Sequence, residues 1–182
     1  MQDKLQKEKL NGIQIHLGNG CSLAQIHNGK ITDTSMSYTP LAGISMFSRP
    51  GDLDPGIILK IVEQHGLEKS TDILNKQSGI KALVPSAKNI KEAFELQSKD
   101  PQAKLALNVW YESICKYLSF YACQLPKIDY LVFSGGVSEH NSEIVQTIID
   151  KLPLLQNSLP KHKIIAGNES LYMAQEINNL IQ

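Results

Sequence analysis

His16-Leu17-Gly18-Asn19-Gly20-Cys21-Ser22 is the stretch whose reading decides the fold. The alternation Ile13-Gln14-Ile15 ahead of it predicts a strand ending at His16. Gly18, Asn19 and Gly20 then permit positive φ and a close approach of backbone N–H groups to an anion. Ser22 adds a hydroxyl donor, and Ala24 to His27 begins a second strand that Asn28-Gly29 turns back. Strand, Gly-Asn-Gly tip and returning strand can cradle a phosphate. The same pattern also describes an ordinary β-hairpin with a glycine turn.

The 182 residues suit one domain with a sizeable core. Lysine plus arginine and aspartate plus glutamate each number 18, so nothing in the charge balance calls for nucleic acid or an anionic membrane. No apolar run reaches the roughly 20 residues of a membrane span, and the polar start MQDKLQKEKL has no signal-peptide core. Cys21, Cys115 and Cys123 are scattered, with no metal-ligand spacing, which fits reduced thiols in the cytoplasm.

Outward from the opening hairpin, residues 1–10 are expected as a helical turn or frayed start. Gly12 to about Met36 reads as a three-strand antiparallel meander, and Ile44 to Phe47 as a short helix or turn. Ser48 to Pro55 forms a rigid polar loop, and Asp54-Pro55 caps a helix with Ile57, Ile58, Ile61 and Val62 as its apolar face. Gly66 is expected to end that helix, with another over Ser70 to Lys76. Residues 79–88 carry no pattern, and Ile90 to Leu96 resumes a helical period. Asp100-Pro101 opens a long helix to about Leu125, with Leu105, Val109, Ile114, Leu118 and Tyr121 facing inward. Its aromatic residues suit a core or a subunit contact. Asp129 to Phe133 is a buried-type strand running into Ser134-Gly135-Gly136, followed by a helix from Ser142 to about Leu152. A strand over Lys163 to Ile165 and a helix from about Glu169 to Ile181 close the chain. Strands followed by strand-glycine-helix units argue for an α/β fold.

Phosphoryl transfer needs donors around the phosphates, a divalent cation and a positive charge at the transferring group. Gly18, Asn19 and Gly20 could line the phosphates on one side, and Gly135-Gly136 could admit them on the other, or simply make a tight turn. Arg49, the only arginine in the chain, offers a planar fork to phosphate oxygens. Alternatively, it pairs with Asp52 or Asp54 and stiffens its loop. Glu169 could bind magnesium through water, or serve as a first-turn acid on the last helix.

The block HLGNGCS, followed by Asp33-Thr34-Ser35-Met36, Tyr38-Thr39-Pro40-Leu41 and Arg49-Pro50-Gly51-Asp52-Leu53-Asp54-Pro55, resembles the acetate kinase (acetokinase) family. Phe133 to Glu139 and Asn168-Glu169-Ser170-Leu171 extend the resemblance toward the C-terminus. It implies an actin-like ATPase (ribonuclease H-like) domain, a mixed sheet flanked by helices. By the same resemblance His16, Leu17, Gly18, Asn19 and Gly20 contact the phosphates of ATP or ADP. Arg49 would stabilise the transition state, Gly136, Val137, Ser138, Glu139 and His140 would flank the adenosine, and Glu169 would serve Mg2+. The implied reaction is ATP plus acetate or propionate giving acyl phosphate plus ADP. Sugar kinase-like and butyrate kinase-like relatives match the motif string less well.

Departures from the family pattern accompany the match. Phe47 replaces a glycine, and Pro50 removes a backbone donor. Ser138 and His140 stand where the family has glycine and asparagine. The segment expected to carry an Asp-x-Arg pair against the adenosine is read as Ala82 to Ser86, which has neither residue. Residues 1–182 are expected as one domain resembling only the C-terminal half of a family member, inactive alone for want of an N-terminal domain. A homodimer through this domain is implied by the family. A catalytically silent, self-associating domain of the same fold is the other reading.

Overall fold

The computed structural model describes residues 9–153, 155 and 159–167. Its centre is a five-stranded mixed sheet in the order β3-β2-β1-β4-β5. Strands β1 (Gly12–Leu17), β2 (Cys21–His27) and β3 (Lys30–Thr34) form the expected antiparallel meander. Asn28 (φ 51°) and Gly29 (φ 76°) make the second turn, the positive-φ pair that a tight hairpin demands. Strand β4 (Tyr130–Ser134) lies parallel to β1, and β5 (His162–Ile165) lies parallel to β4.

Helix α1 (Pro55–Lys76) starts as read, with the Asp54 carboxylate accepting the Gly56 N–H at 2.6 Å. Gly66 (φ 74°, ψ 165°) breaks its helical path, as expected, and helix resumes immediately beyond. The Ser48 hydroxyl donates to the Asn75 carbonyl and the Ser48 carbonyl accepts from Ser78 N–H. A straight helix from Pro55 would carry Asn75 about 30 Å away. The chain from Ser48 to Pro55 spans at most about 24 Å. The two arms therefore fold back on each other at Gly66. The apolar face read for the first arm is only half covered: Ile57 is 48% exposed, and the buried residues of α1 are Ser70 and Leu74.

Two short helices follow, α2 (Gly79–Leu83) and α3 (Ile90–Leu96), and then α4 (Pro101–Gln124) crosses the sheet. Asp100 caps α4 by accepting the Gln102 N–H at 2.8 Å, and the extended Leu125 before Pro126 ends it. Its buried stripe is Ala103, Ala106, Leu107, Trp110, Tyr111, Ile114, Leu118 and Tyr121. Leu105 and Val109, expected inside, are 50% and 49% exposed. The small side chains of Ala103 and Ala106 bring the helix onto its neighbours along a different line. Ile13, Ile15 and Leu17 of β1, Leu131 and Phe133 of β4, and Ile144, Val145 and Ile148 of α6 (Ser142–Asp150) complete this core. Between β4 and α6 lies the single-turn helix α5 (Gly136–His140). Residues 1–8 of the helical turn or frayed start expected over residues 1–10, and the closing helix expected from about Glu169, fall outside the described residues.

Candidate nucleotide site

Parallel strands β1 and β4 end side by side, His16 opposite Ser134 in register. From these ends the chain departs in opposite directions, toward β2 on one side and through α5 and α6 to β5 on the other. Such a divergence leaves a crevice beyond the carboxyl ends of the strands, where α/β sheets bind ligands.

The crevice is held open by close backbone approach. Gly135 has φ 91°, and a Cβ there would lie 2.5 Å from the Leu17 carbonyl oxygen. The His16 imidazole Nδ1 and the Ser134 hydroxyl are 3.3 Å apart across the same junction. In the Gly-Asn-Gly tip, Gly18 N–H donates to the Gly20 carbonyl at 2.9 Å. Behind the tip, the buried Cys21 thiol donates to the Gly18 carbonyl at 3.3 Å. Burial pushes that thiol up to about 12, so it stays protonated and keeps the bond.

A cleft of about 400 Å³ results, lined by Gly18 and Asn19 on one side and by Gly136, Val137, His140 and Asn141 on the other. Its third wall is Asn89, Ile90 and Lys91, which sequence reasoning missed. Their local signal was legible: Asn89 caps α3, accepting Glu92 N–H at 2.9 Å and donating to the Glu92 carboxylate. Ala82 and Pro85, from the segment expected against the adenosine, lie instead with Asp72, Lys76, Gln77 and Lys81 around an open depression. That depression, of about 510 Å³, is larger but contains neither glycine loop. The cleft at the strand ends is therefore the candidate site.

The remaining expected residues are placed as follows. Leu17 is fully buried in the core, and Gly20 faces Met46, whose sulfur would lie 3.9 Å from a Cβ on that glycine. Ser138 is fully buried and its hydroxyl donates to the Ser134 carbonyl, so it closes the β4–α5 turn. Glu139 accepts the Gly167 N–H at 2.9 Å and ties α5 to the end of β5. Glu169 lies outside the described residues.

Arg49 sits in a loop bound to the glycine tip, the Phe47 N–H donating to the Asn19 carbonyl at 3.2 Å. Its guanidinium Nη1 is 3.6 Å from the Met46 sulfur, beside Gly20. Neither neighbouring carboxylate pairs with it: Asp52 binds Lys116, Tyr117 and the Gly43 N–H, and Asp54 caps α1. The reading in which Arg49 merely stiffens its loop through those aspartates is thereby set aside.

Comparison with known proteins agrees with this architecture. The Acetokinase family matches residues 2–174. The chain belongs to that family. An acetate kinase of Francisella tularensis subsp. holarctica is 37% identical over 198 residues, covering 97% of this chain and 51% of that protein. One of Anoxybacillus flavithermus is 42% identical over 142 residues, 76% of this chain and 36% of that protein. A propionate kinase structure from Francisella tularensis subsp. tularensis superposes with a TM-score of 0.86 at 34% identity, covering 96% of this chain and 52% of its own. The acetate kinase structure of Porphyromonas gingivalis gives 0.85 at 26% identity, with 96% and 50% covered. The fold is thus the actin-like ATPase type that the resemblance implied. The chain spans about half the length of the Francisella relatives it matches.

Proposed function

We propose that residues 1–182 form one domain, the nucleotide-binding half of an acetate or propionate kinase-type phosphotransferase. The observation that carries this reading is the convergence of Gly18, Asn19, Gly136 and Val137 on one cleft, with the Arg49 loop bound to Asn19. With Gly18 N–H turned to the Gly20 carbonyl, the N–H groups of Asn19 and Gly20 would bind the phosphates of ATP or ADP, and the α5 wall with Asn89 to Lys91 would flank the nucleoside. A carboxylate oxygen of acetate or propionate attacks the γ-phosphorus in line as the bond to the ADP oxygen breaks. The nucleophile is already an anion, so no general base is required. Arg49 would balance the charge spread over the equatorial oxygens.

The described lining of the cleft contains no carboxylate. Mg2+ would therefore be carried in on the nucleotide phosphates, and the one protein carboxylate proposed to serve it is Glu169. When bound, the ion neutralises the β- and γ-phosphate oxygens.

Acetate selection, and exclusion of water from the reacting phosphoryl group, would fall to an N-terminal acetokinase domain on the other side of the cleft. Homodimerisation is proposed through the outer face of α4, where Leu105, Val109 and Phe120 are half exposed. The same face supports the second reading, a silent self-associating domain. Free Cys21, Cys115 and Cys123 support a cytoplasmic site of action, and no described helix is long and apolar enough to cross a membrane.

Mixing the chain with the isolated N-terminal domain of the Francisella acetate kinase tests the proposal. Acetyl phosphate, trapped with hydroxylamine, is expected only when both are present and Arg49 is intact. Nucleotide binding without acyl phosphate under any such pairing would favour the silent reading.

A further inference from the structure

Asp52 lies outside the cleft, yet its carboxylate joins three parts of the chain. One oxygen accepts the Gly43 N–H at 2.7 Å, the other accepts the Lys116 ammonium at 2.6 Å, and the Tyr117 hydroxyl donates at 3.0 Å. The Asp52 N–H in turn donates to the Gly43 carbonyl at 2.9 Å. These bonds pin together the two ends of the loop 43–52, which carries Arg49. Inside it there is no slack: a Cβ on Gly51 (φ 76°) would lie 2.5 Å from the Ser45 nitrogen. Its flank is clamped as well, the Met46, Phe47 and Ser48 carbonyls accepting from the N–H groups of Ile80, Lys81 and Ser78.

Charge gives this arrangement a consequence for Arg49. A carboxylate so near in sequence is the natural partner of a lone guanidinium, and a pair between them would blunt the positive charge offered to a phosphate. Lys116 and Tyr117 of α4 occupy the Asp52 oxygens instead. We propose that Asp52, held by Lys116 and Tyr117, is the positioning residue that fixes the Arg49 loop and, by keeping its own carboxylate off the guanidinium, leaves that charge for the transferring phosphoryl group. This rests on the catalytic role proposed for Arg49. An asparagine cannot substitute, because its amide would turn a donor toward Gly43 N–H or the Lys116 ammonium.

Arg49 being the only arginine, arginine labelled with 15N gives the full chain a single side-chain Nε–Hε resonance. In the wild type, with the guanidinium lodged against the Met46 sulfur, its heteronuclear NOE is expected to match that of ordered backbone. In Asp52→Asn, and more mildly in Tyr117→Phe, it falls to that of a mobile side chain, while the backbone amide spectrum outside residues 43–52 is kept. Lys116→Met releases the carboxylate to Arg49 and shifts the resonance. In parallel, the ratio of Mg-ATP to Mg-ADP affinity drops about tenfold in Asp52→Asn, with no further drop when Arg49→Ala is added. An Arg49 resonance unchanged in all three single variants overturns the proposal. Loosening of Arg49 in a chain that binds neither nucleotide leaves the positioning intact and overturns the nucleotide reading alone.

Discussion

Gly135 and Gly136 are adjacent, and the structure gives them opposite sensitivities to the same methyl group. At Gly135 (φ 91°) alanine must either hold a left-handed backbone or rotate out of it, and its Cβ meets the Leu17 carbonyl oxygen at 2.5 Å and the His16 ring at 2.9 Å. The strained conformation costs about 1–3 kcal/mol. Forcing a methyl against a backbone carbonyl that belongs to β1 costs about as much again. Even about 3 kcal/mol, toward the lower end of the combined range, lowers the melting temperature of a chain this long by about 6–12 °C. At Gly136, by contrast, a Cβ meets nothing within 4 Å, and the residue lines the cleft. Gly136→Ala is expected to melt within about 2 °C of the wild type. Its methyl occupies ligand space, and Mg-ATP affinity falls about tenfold, or about 1.4 kcal/mol. Thermal melts followed by circular dichroism, with nucleotide titrations of both variants, read the two effects separately. A Gly135→Ala chain melting within about 2 °C of the wild type would refute the claim that this glycine is where β1 and β4 meet.

Other perturbations check other layers of the account. Trp110→Ala, in the fully buried stripe of α4, is expected to cost about 3–5 kcal/mol in urea unfolding, whereas Val109→Ala next to it stays within about 0.5 kcal/mol. The exposed Cys123 should react at once with a thiol reagent, and Cys21, its thiol raised to about 12 by burial, only on unfolding. Burial opposes ionisation of Asp52, but bonds from Lys116, Gly43 and Tyr117 outweigh it, and Asn11 N–H and Lys127 act likewise on Asp129. Both carboxyls are held below the ordinary value near 4, so their stabilisation is complete above it and is lost as pH falls through the lowered values. Thermal melts should therefore be flat from about pH 8 to 5 and decline below about pH 4, less steeply in Asp129→Asn.

Much of the architecture was legible where a single residue type forces a local geometry. Asn28-Gly29 set a hairpin turn, Asp54-Pro55 and Asp100-Pro101 opened helices, and Gly66 broke one. The inward face of α4 was not legible in the same way. Leu105, Leu107, Val109, Trp110 and Tyr111 spread apolar side chains around the helix, so its buried stripe was decided by Ala103 and Ala106, small enough for close packing. The two glycine walls of the cleft followed from strands that end in glycine. The wall of Asn89, Ile90 and Lys91 did not, because only the folded chain brings the start of α3 to Gly18 and Gly136. Ser138 and Glu139 sit in a motif expected at a ligand, yet their side chains bond to Ser134 and Gly167.

The claim at the centre is that the glycine tip after β1 and the glycine turn after β4 make one nucleotide half-site. Calorimetric titration of the purified chain with Mg-ADP and Mg-ATP tests it most directly. Dissociation constants from micromolar to low millimolar are expected, abolished by Asn19→Asp, whose added charge would face the phosphates, and weakened by Glu169→Ala. No heat of binding at millimolar nucleotide, either alone or with an N-terminal acetokinase domain added, would contradict it.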